Sequence, residues 1–375
     1  HRYAQQAAQA RAKGMAALSE VINHRGRDTQ RKAMKTLLHG ALILGISVMG
    51  LAEDHLAARY EQIAAQAKGR VGAASVVLEG GEETCIRCDE HFPMQSVYKF
   101  PIAMAVLARV DAGELKLDQK VAVSKNEYLA DGAVSQLRDR SRDKDQTVEL
   151  RELLELAVVK SDGTASDVLM RLLNNQAKAI SGPYSVGAKE VMRFLASIGI
   201  DATSINVQDP EMALQKDWQV QYRNWMSPRG ALKLLRAFHE GKGLSKQSHA
   251  LLRDMLERSI RGEKRLKGLL PKETVMAHKT GTSGSRSGVT AATNDIGIIT
   301  LPNGKHLAVA VFVSDSKGDQ PMREGAIAAL ARLAWDEEVG KDPRVAFQKM
   351  YDEWLSLTKI VLYDGTELPK EKLRY

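Results

Sequence analysis

The stretch FPMQSVYKFPIAMAVLARV, residues 92–110, places Lys99 three residues after Ser96 at the start of an apolar run with helical spacing. A lysine on the apolar side of a helix is costly unless something uses its charge. At i+3 it shares a face with the serine, and in a desolvated site it can act as general base for that hydroxyl. The first turn of a helix also offers free N–H groups and the positive end of the dipole, which favour an oxyanion. The chemistry implied is nucleophilic attack by Ser96. Spacing alone is weak support, because Ser-x-x-Lys occurs four times: at Ser96/Lys99, Ser141/Lys144, Ser314/Lys317 and Ser356/Lys359. Ser141 lies in the charged segment RDRSRDKDQ, Ser314 ends a strand, and Ser356 is in a C-terminal tail. Only Ser96 follows a turn signal, Phe92-Pro93, and opens an apolar helix.

Two further segments fall in the order that a serine acyl-transferase needs. VVKSDGTASD puts Ser161 and Asp162 between helices, and MAHKTGTSG puts Lys279, Thr280, Gly281 and Thr282 on an apolar strand leading to glycines. A hydroxyl and a second lysine can relay a proton to a leaving nitrogen. Hydroxyls beside a cation can hold a carboxylate, and a strand backbone can supply an oxyanion donor.

With S-x-x-K, S-D-x and K-T-G in this order, the chain resembles the penicillin-recognising serine enzymes, specifically the class A β-lactamases. The resemblance runs from about residue 54 to 340. It is nearest the branch with glutamine before the nucleophile, as in Met94-Gln95-Ser96, and VQYRNWMSPRGA and AATNDIGIITLP fit that branch too. It implies a β-lactam substrate, an acyl-enzyme on Ser96, proton transfer by Ser161 and Lys279, and substrate contacts from Thr280, Gly281 and Thr282. It also implies a deacylating glutamate in E-x-x-L-N. Here DPEMALQKDW offers Asp209 or Glu211. Glu211 fits, with Leu214 in place and Gln215 for asparagine, whereas Asp209 would put Ala213 where the amide belongs. Gly163 stands where the family has the asparagine of S-D-N, and both substitutions are expected to affect turnover, Gly163 by the loss of a substrate hydrogen bond. Val134 falls near the gate aromatic. Arg265, Lys267 and Arg286 are all candidates for the carboxylate-binding cation. Rival readings are a D,D-peptidase or a non-hydrolysing penicillin-binding relative.

The elements that must position these residues lie at both chain ends and between them. Apolar runs at 71–79 and 83–88 flank Gly80-Gly81, and runs at 295–301 and 306–314 flank Pro302-Asn303-Gly304-Lys305, so both pairs read as hairpins. Helical periodicity covers 54–67, 97–112, 148–159, 163–174, 227–240 and 322–338. The expected fold is an α/β sandwich: an antiparallel sheet built from both chain ends with flanking helices, plus an inserted all-α domain, β-lactamase/transpeptidase-like. The expected division is 53–95 with 223–340 as a discontinuous α/β domain, 96–222 as the all-α domain carrying Glu211, and 341–375 as a tail without an assigned role.

The chain has 375 residues, 44% hydrophobic, enough for a sizeable core. Residues 1–35 hold eight basic and two acidic side chains, so +6 of the chain's net +8 sits there. The near-neutral remainder argues against nucleic acid as a partner. Met34 to Ala52, with an apolar run ending in Gly50-Leu51-Ala52, reads as a signal peptide cleaved near Ala52, giving a periplasmic or secreted monomer with no lasting membrane association. Residues 1–33 precede the expected start and are set aside from the fold. Cys85 and Cys88 are read as free thiols, since i and i+3 on a strand point to opposite faces. No metal or cofactor is expected.

Overall fold

The computed structural model describes residues 56–142, 144–174 and 184–341. The signal-peptide reading and almost all of the tail lie outside them. The main sheet has six antiparallel strands. Its order runs Thr84–Ile86, Arg70–Val77, His306–Ser316, Val289–Thr300 and Met276–Thr282, with Ser285–Arg286 pairing onto Val289–Thr300. The two central long strands pair from Thr290 opposite Ser316 to Thr300 opposite His306. Asn303-Gly304 closes them as expected, with Gly304 at φ 84° and the Leu301 N–H donating to Lys305 O at 2.8 Å.

Both faces of this sheet are covered, which explains strands apolar at nearly every position. Ala308, Ala310 and Phe312 join the core shared with the helices, while the intervening Val309, Val311 and Val313 are buried on the other face. On that second face Tyr60, from helix 56–65, hydrogen-bonds Ser75 at 2.8 Å, and Arg323, from helix Gln320–Gly340, donates to Thr293 Oγ1 at 2.8 Å. Asp319 caps that last helix by accepting from the Met322 N–H. On the first face lies helix Pro228–His239, capped by Ser227 with proline at its first position. Phe238 meets Phe100 edge-on, with centroids 5.1 Å apart.

Helix Lys99–Asp111 is buried along its first nine residues, so it is apolar on all sides. It packs against Leu150–Val158, Gly163–Leu172 and Tyr184–Ser197. Each fully buried leucine, isoleucine or phenylalanine among them contributes about 1.5–3 kcal/mol. The region also contains strands too short to show alternation in sequence: Lys120–Val123 with Gln146–Glu149, and Phe92–Pro93, Trp225–Met226 and Ile205–Asn206. Among the described residues no helix is long and apolar enough to cross a membrane.

The cysteine expectation is overturned: Cys85 and Cys88 form a disulfide, with Cα atoms 5.5 Å apart. The strand ends at Ile86, and Arg87 turns into the left-handed region at φ 49°. That bend brings together two side chains that a continued strand would hold apart.

Candidate active site

Ser96 lies in a 3-10 turn, Gln95–Tyr98, that runs directly into helix Lys99–Asp111. Its N–H falls in the first turn, where no intrahelical acceptor exists. Gln95 is held at φ 49°, a strained conformation for glutamine. Several contacts fix it there. Asn294 Nδ2 donates to Pro93 O at 2.7 Å and Met94 O at 3.1 Å, and Gln95 Nε2 donates to Gln221 Oε1 at 2.8 Å. The third is Gly281, whose backbone lies so close that a Cβ there would sit 2.1 Å from Met94 O. The glycine of K-T-G is therefore needed for strand Met276–Thr282 to touch the turn that carries Ser96.

Lys99 is buried and its Nζ donates to Ser96 Oγ at 2.6 Å and to Glu211 Oε2 at 2.7 Å. Of the two acids offered by the loop, Glu211 thus reaches Lys99, whereas Asp209 pairs with Arg223 at 3.0 Å. Burial alone would raise the Glu211 carboxyl. The Lys99 charge and its hydrogen bond, with that of Tyr98 Oη at 3.1 Å, hold it below the usual carboxylate range. Asp167 completes the arrangement and was not singled out from sequence. Fully buried on helix Gly163–Leu172, its carboxylate accepts from the Glu211 N–H at 2.7 Å and the Met212 N–H at 2.9 Å, so it caps helix Glu211–Lys216. Burial and the nearby Glu211 charge push it up to about 8. The only local signal for Asp167 is an acid beside Ala165, Val168 and Leu169 in a helical run.

Ser161 is also left-handed, at φ 61°. Asp162 holds the turn: its oxygens accept from the Ala165 N–H, Ser135 Oγ and the Leu137 N–H. Lys279 Nζ donates to Ser161 Oγ at 2.9 Å. Burial and the nearby Lys99 charge push Lys279 well below a lysine's ordinary value.

These groups meet a cavity of about 860 Å³ lined by Ser96, Ser161, Glu211, Gln215, Thr280 and Thr282, among others. Gln215 is exposed to it. Val134 and Ile260 stand on its rim, 44% and 50% exposed. Of the three cation candidates, only Arg265 lines the cavity. It is buried, pairs with Glu324 at 3.2 Å, and donates to Gly281 O and to Thr282 Oγ1, the latter at 2.7 Å. Arg286 is exposed on its two-residue strand, and Lys267 is outside the cavity lining.

Gly163 is not simply a missing side chain. A Cβ there would lie 2.3 Å from Leu129 Cδ1 and 2.7 Å from Glu211 Cγ. An asparagine there could be accommodated only if the Leu129 and Glu211 side chains shifted.

A serine hydrogen-bonded to a buried lysine–glutamate pair, with a second lysine–serine pair beside it, at the junction of a helical region and an antiparallel sheet, is an arrangement suited to an acyl-transferring serine hydrolase. The model of the "Beta-lactamase enzyme family" matches residues 55–337. Beta-lactamase VEB-1 of Pseudomonas aeruginosa is 35% identical, with 77% of this chain and 92% of the relative covered. Extended-spectrum beta-lactamase PER-1 of the same organism is 39% identical over 76% and 87%. A beta-lactamase crystal structure from Chitinophaga pinensis superposes with TM-score 0.70 at 41% identity, covering 76% of this chain and 99% of that one. A representative class A enzyme from Bacteroides cellulosilyticus gives 0.69 at 27% identity, over 77% and 99%. The chain belongs to the β-lactamase family and is a class A serine enzyme that hydrolyses the β-lactam amide bond.

Proposed function

We propose that Ser96 is the nucleophile and that the Lys99–Glu211 pair drives both halves of the reaction. The observation that carries this reading is Lys99 Nζ bridging Ser96 Oγ and Glu211 Oε2 at 2.6 and 2.7 Å. The Oγ proton passes into that pair as Oγ attacks the lactam carbonyl. The N–H groups of Ser96 and Thr282 hold the oxyanion. As the C–N bond breaks, Ser161 passes a proton to the ring nitrogen and is reprotonated through Lys279; the proton that left Oγ makes good that loss, so the Lys99–Glu211 pair returns to its starting state. Thr280, Thr282 and Arg265 bind the substrate carboxylate, a charge-assisted contact. Glu211 then takes a proton from water, which cleaves the Ser96 ester and frees the site. Gln215, exposed beside Glu211, borders the path of that water. A D,D-peptidase has no use for a carboxylate on the nucleophile's lysine, so Glu211 favours hydrolysis of the acyl-enzyme.

The further reading is of an exported monomer, freed near Ala52, that confers resistance to its substrates. Its α/β domain would comprise 53–95 and 223–340, with the helical domain 96–222 between. One relative is named an extended-spectrum enzyme. The wide cavity here supports acceptance of β-lactams with large side chains. Turnover of a chromogenic cephalosporin by the purified chain tests the nucleophile. The parent should hydrolyse it, and Ser96→Ala should lose about 10⁴-fold or more while melting at a similar temperature. A Ser96→Ala protein that turns over like the parent would overturn the assignment.

A further inference from the structure

At the opposite end of the sheet from the nucleophile, three side chains from three elements converge. Glu79 follows strand Arg70–Val77, His306 opens strand His306–Ser316, and His239 ends helix Pro228–His239. Their ligand atoms all lie within 4.8 Å of one another. His306 Nδ1 is 2.7 Å and His239 Nε2 is 3.5 Å from Glu79 Oε1. The two imidazole rings are 4.5 Å apart at their centroids. In sequence the three are far apart, so no local spacing signals the cluster.

We propose that Glu79, His239 and His306 form a binding site for a divalent transition ion of the zinc type. Two neutral imidazoles and a carboxylate are a borderline donor set suited to such ions rather than to calcium or magnesium. Bonds of about 2.0–2.2 Å in a tetrahedral arrangement require donor atoms about 3.3–3.5 Å apart. The 3.5 Å pair already meets this, and the 2.7 Å pair opens by less than about 1 Å once the ion replaces the shared proton. The carboxylate is pre-set, because its other oxygen accepts from the His306 N–H at 2.9 Å. The neighbouring cations have partners of their own: Arg236 donates to Leu78 O, and Arg253 to Glu257 Oε1. His239 and Glu79 are partly exposed, so the fourth position opens to solvent.

The site would join the ends of two strands to the end of a helix, a staple for the fold. Thr300, opposite His306, is seven residues along the strand from Thr293, opposite Thr282, which puts the cluster roughly 20 Å from the active cavity. The ion should therefore stabilise the protein without changing hydrolysis.

Titrating ZnCl₂ into the untagged, EDTA-treated and dialysed chain tests this by calorimetry and thermal melting. The parent should bind one ion and melt about 5 °C or more higher at a hundredfold excess over Kd. His239→Ala and His306→Ala should each weaken binding at least tenfold, with cephalosporin turnover unchanged. Substituting Co²⁺ should give the visible absorption of a four-coordinate ion, lost in both variants. Should one variant fold poorly, the other still decides. Absence of binding below 1 mM ZnCl₂, or equal binding by parent and either folded variant, would overturn the proposal.

Discussion

Gly163 offers the most demanding test of how the site is packed. Ordinary carbon–carbon contact begins near 3.5 Å. A Cβ at residue 163 would fall short of that by about 1.2 Å against Leu129 Cδ1 and about 0.8 Å against Glu211 Cγ. Both neighbours must give way, Leu129 at its terminal methyl and Glu211 at Cγ. A shift of about 0.8 Å at Cγ takes a carboxylate now 2.7 Å from Lys99 Nζ out of good hydrogen-bond range. Misplacement of about 1 Å typically costs about 10²-fold in rate. Overpacking of this kind costs about 1–3 kcal/mol, which for a domain of this size lowers Tm by about 2–10 °C. Gly163→Ala and Gly163→Asn should therefore show a burst of one equivalent of cephalosporin, then steady turnover slowed about 100-fold, and a lower melting temperature. Stopped-flow absorbance and differential scanning calorimetry read the two effects. The hydrogen bond that asparagine could offer a substrate is worth only about 0.5–1.5 kcal/mol. Gly163→Asn hydrolysing faster than the parent at an unchanged Tm would refute the packing argument.

Asp167→Asn keeps the shape but leaves one of the Glu211 and Met212 N–H groups facing an amide donor, at a cost of about 1–3 kcal/mol. A folded value of about 8 for Asp167 lies above its unfolded one, so its contribution to stability is full below about pH 4 and lost as pH rises through 8. Melting temperatures across that range should fall more steeply for the parent than for Asp167→Asn, and parallel curves would count against the burial argument. Tyr98→Phe removes one donor from Glu211. Because the depressed Glu211 value keeps the base ionised above it and loses it as pH falls, the acid limb of kcat should move to higher pH. An unmoved limb would mean that Tyr98 does not bear on Glu211.

The sheet and the helix that follows Ser96 were legible because their signals are local. Asn303-Gly304 between apolar runs, the placing of Lys99 on an apolar helix, and the motifs around Ser96, Ser161 and Lys279 each reside in a short window. Boundaries moved by a residue or two, as where Gln146–Glu149 forms a strand ahead of the helix that starts at Leu150. What sequence missed depends on partners far along the chain. Asp167 works through N–H groups 44 and 45 residues away, and Arg265 is singled out from Lys267 and Arg286 only by Glu324, Gly281 and Thr282. Gly163 read as a lost side chain because the atoms filling its space come from Leu129 and Glu211. The disulfide escaped because periodicity carries a strand through Arg87, whereas the backbone turns there.

The central claim, that Ser96 is acylated and Glu211 clears it, is tested most directly by intact mass spectrometry of Glu211→Ala mixed with benzylpenicillin. Loss of a general base typically slows its step by about 10²–10⁴-fold. Lys99, still hydrogen-bonded to Ser96 Oγ, remains as the base for acylation, so the variant should hold, for minutes, an adduct equal to the whole drug mass on the peptide containing Ser96, and Ser96→Ala should show none. If Glu211→Ala instead turns over like the parent while Asp209→Ala accumulates the adduct, or if neither variant accumulates it and both stay active, the assignment of Glu211 is contradicted.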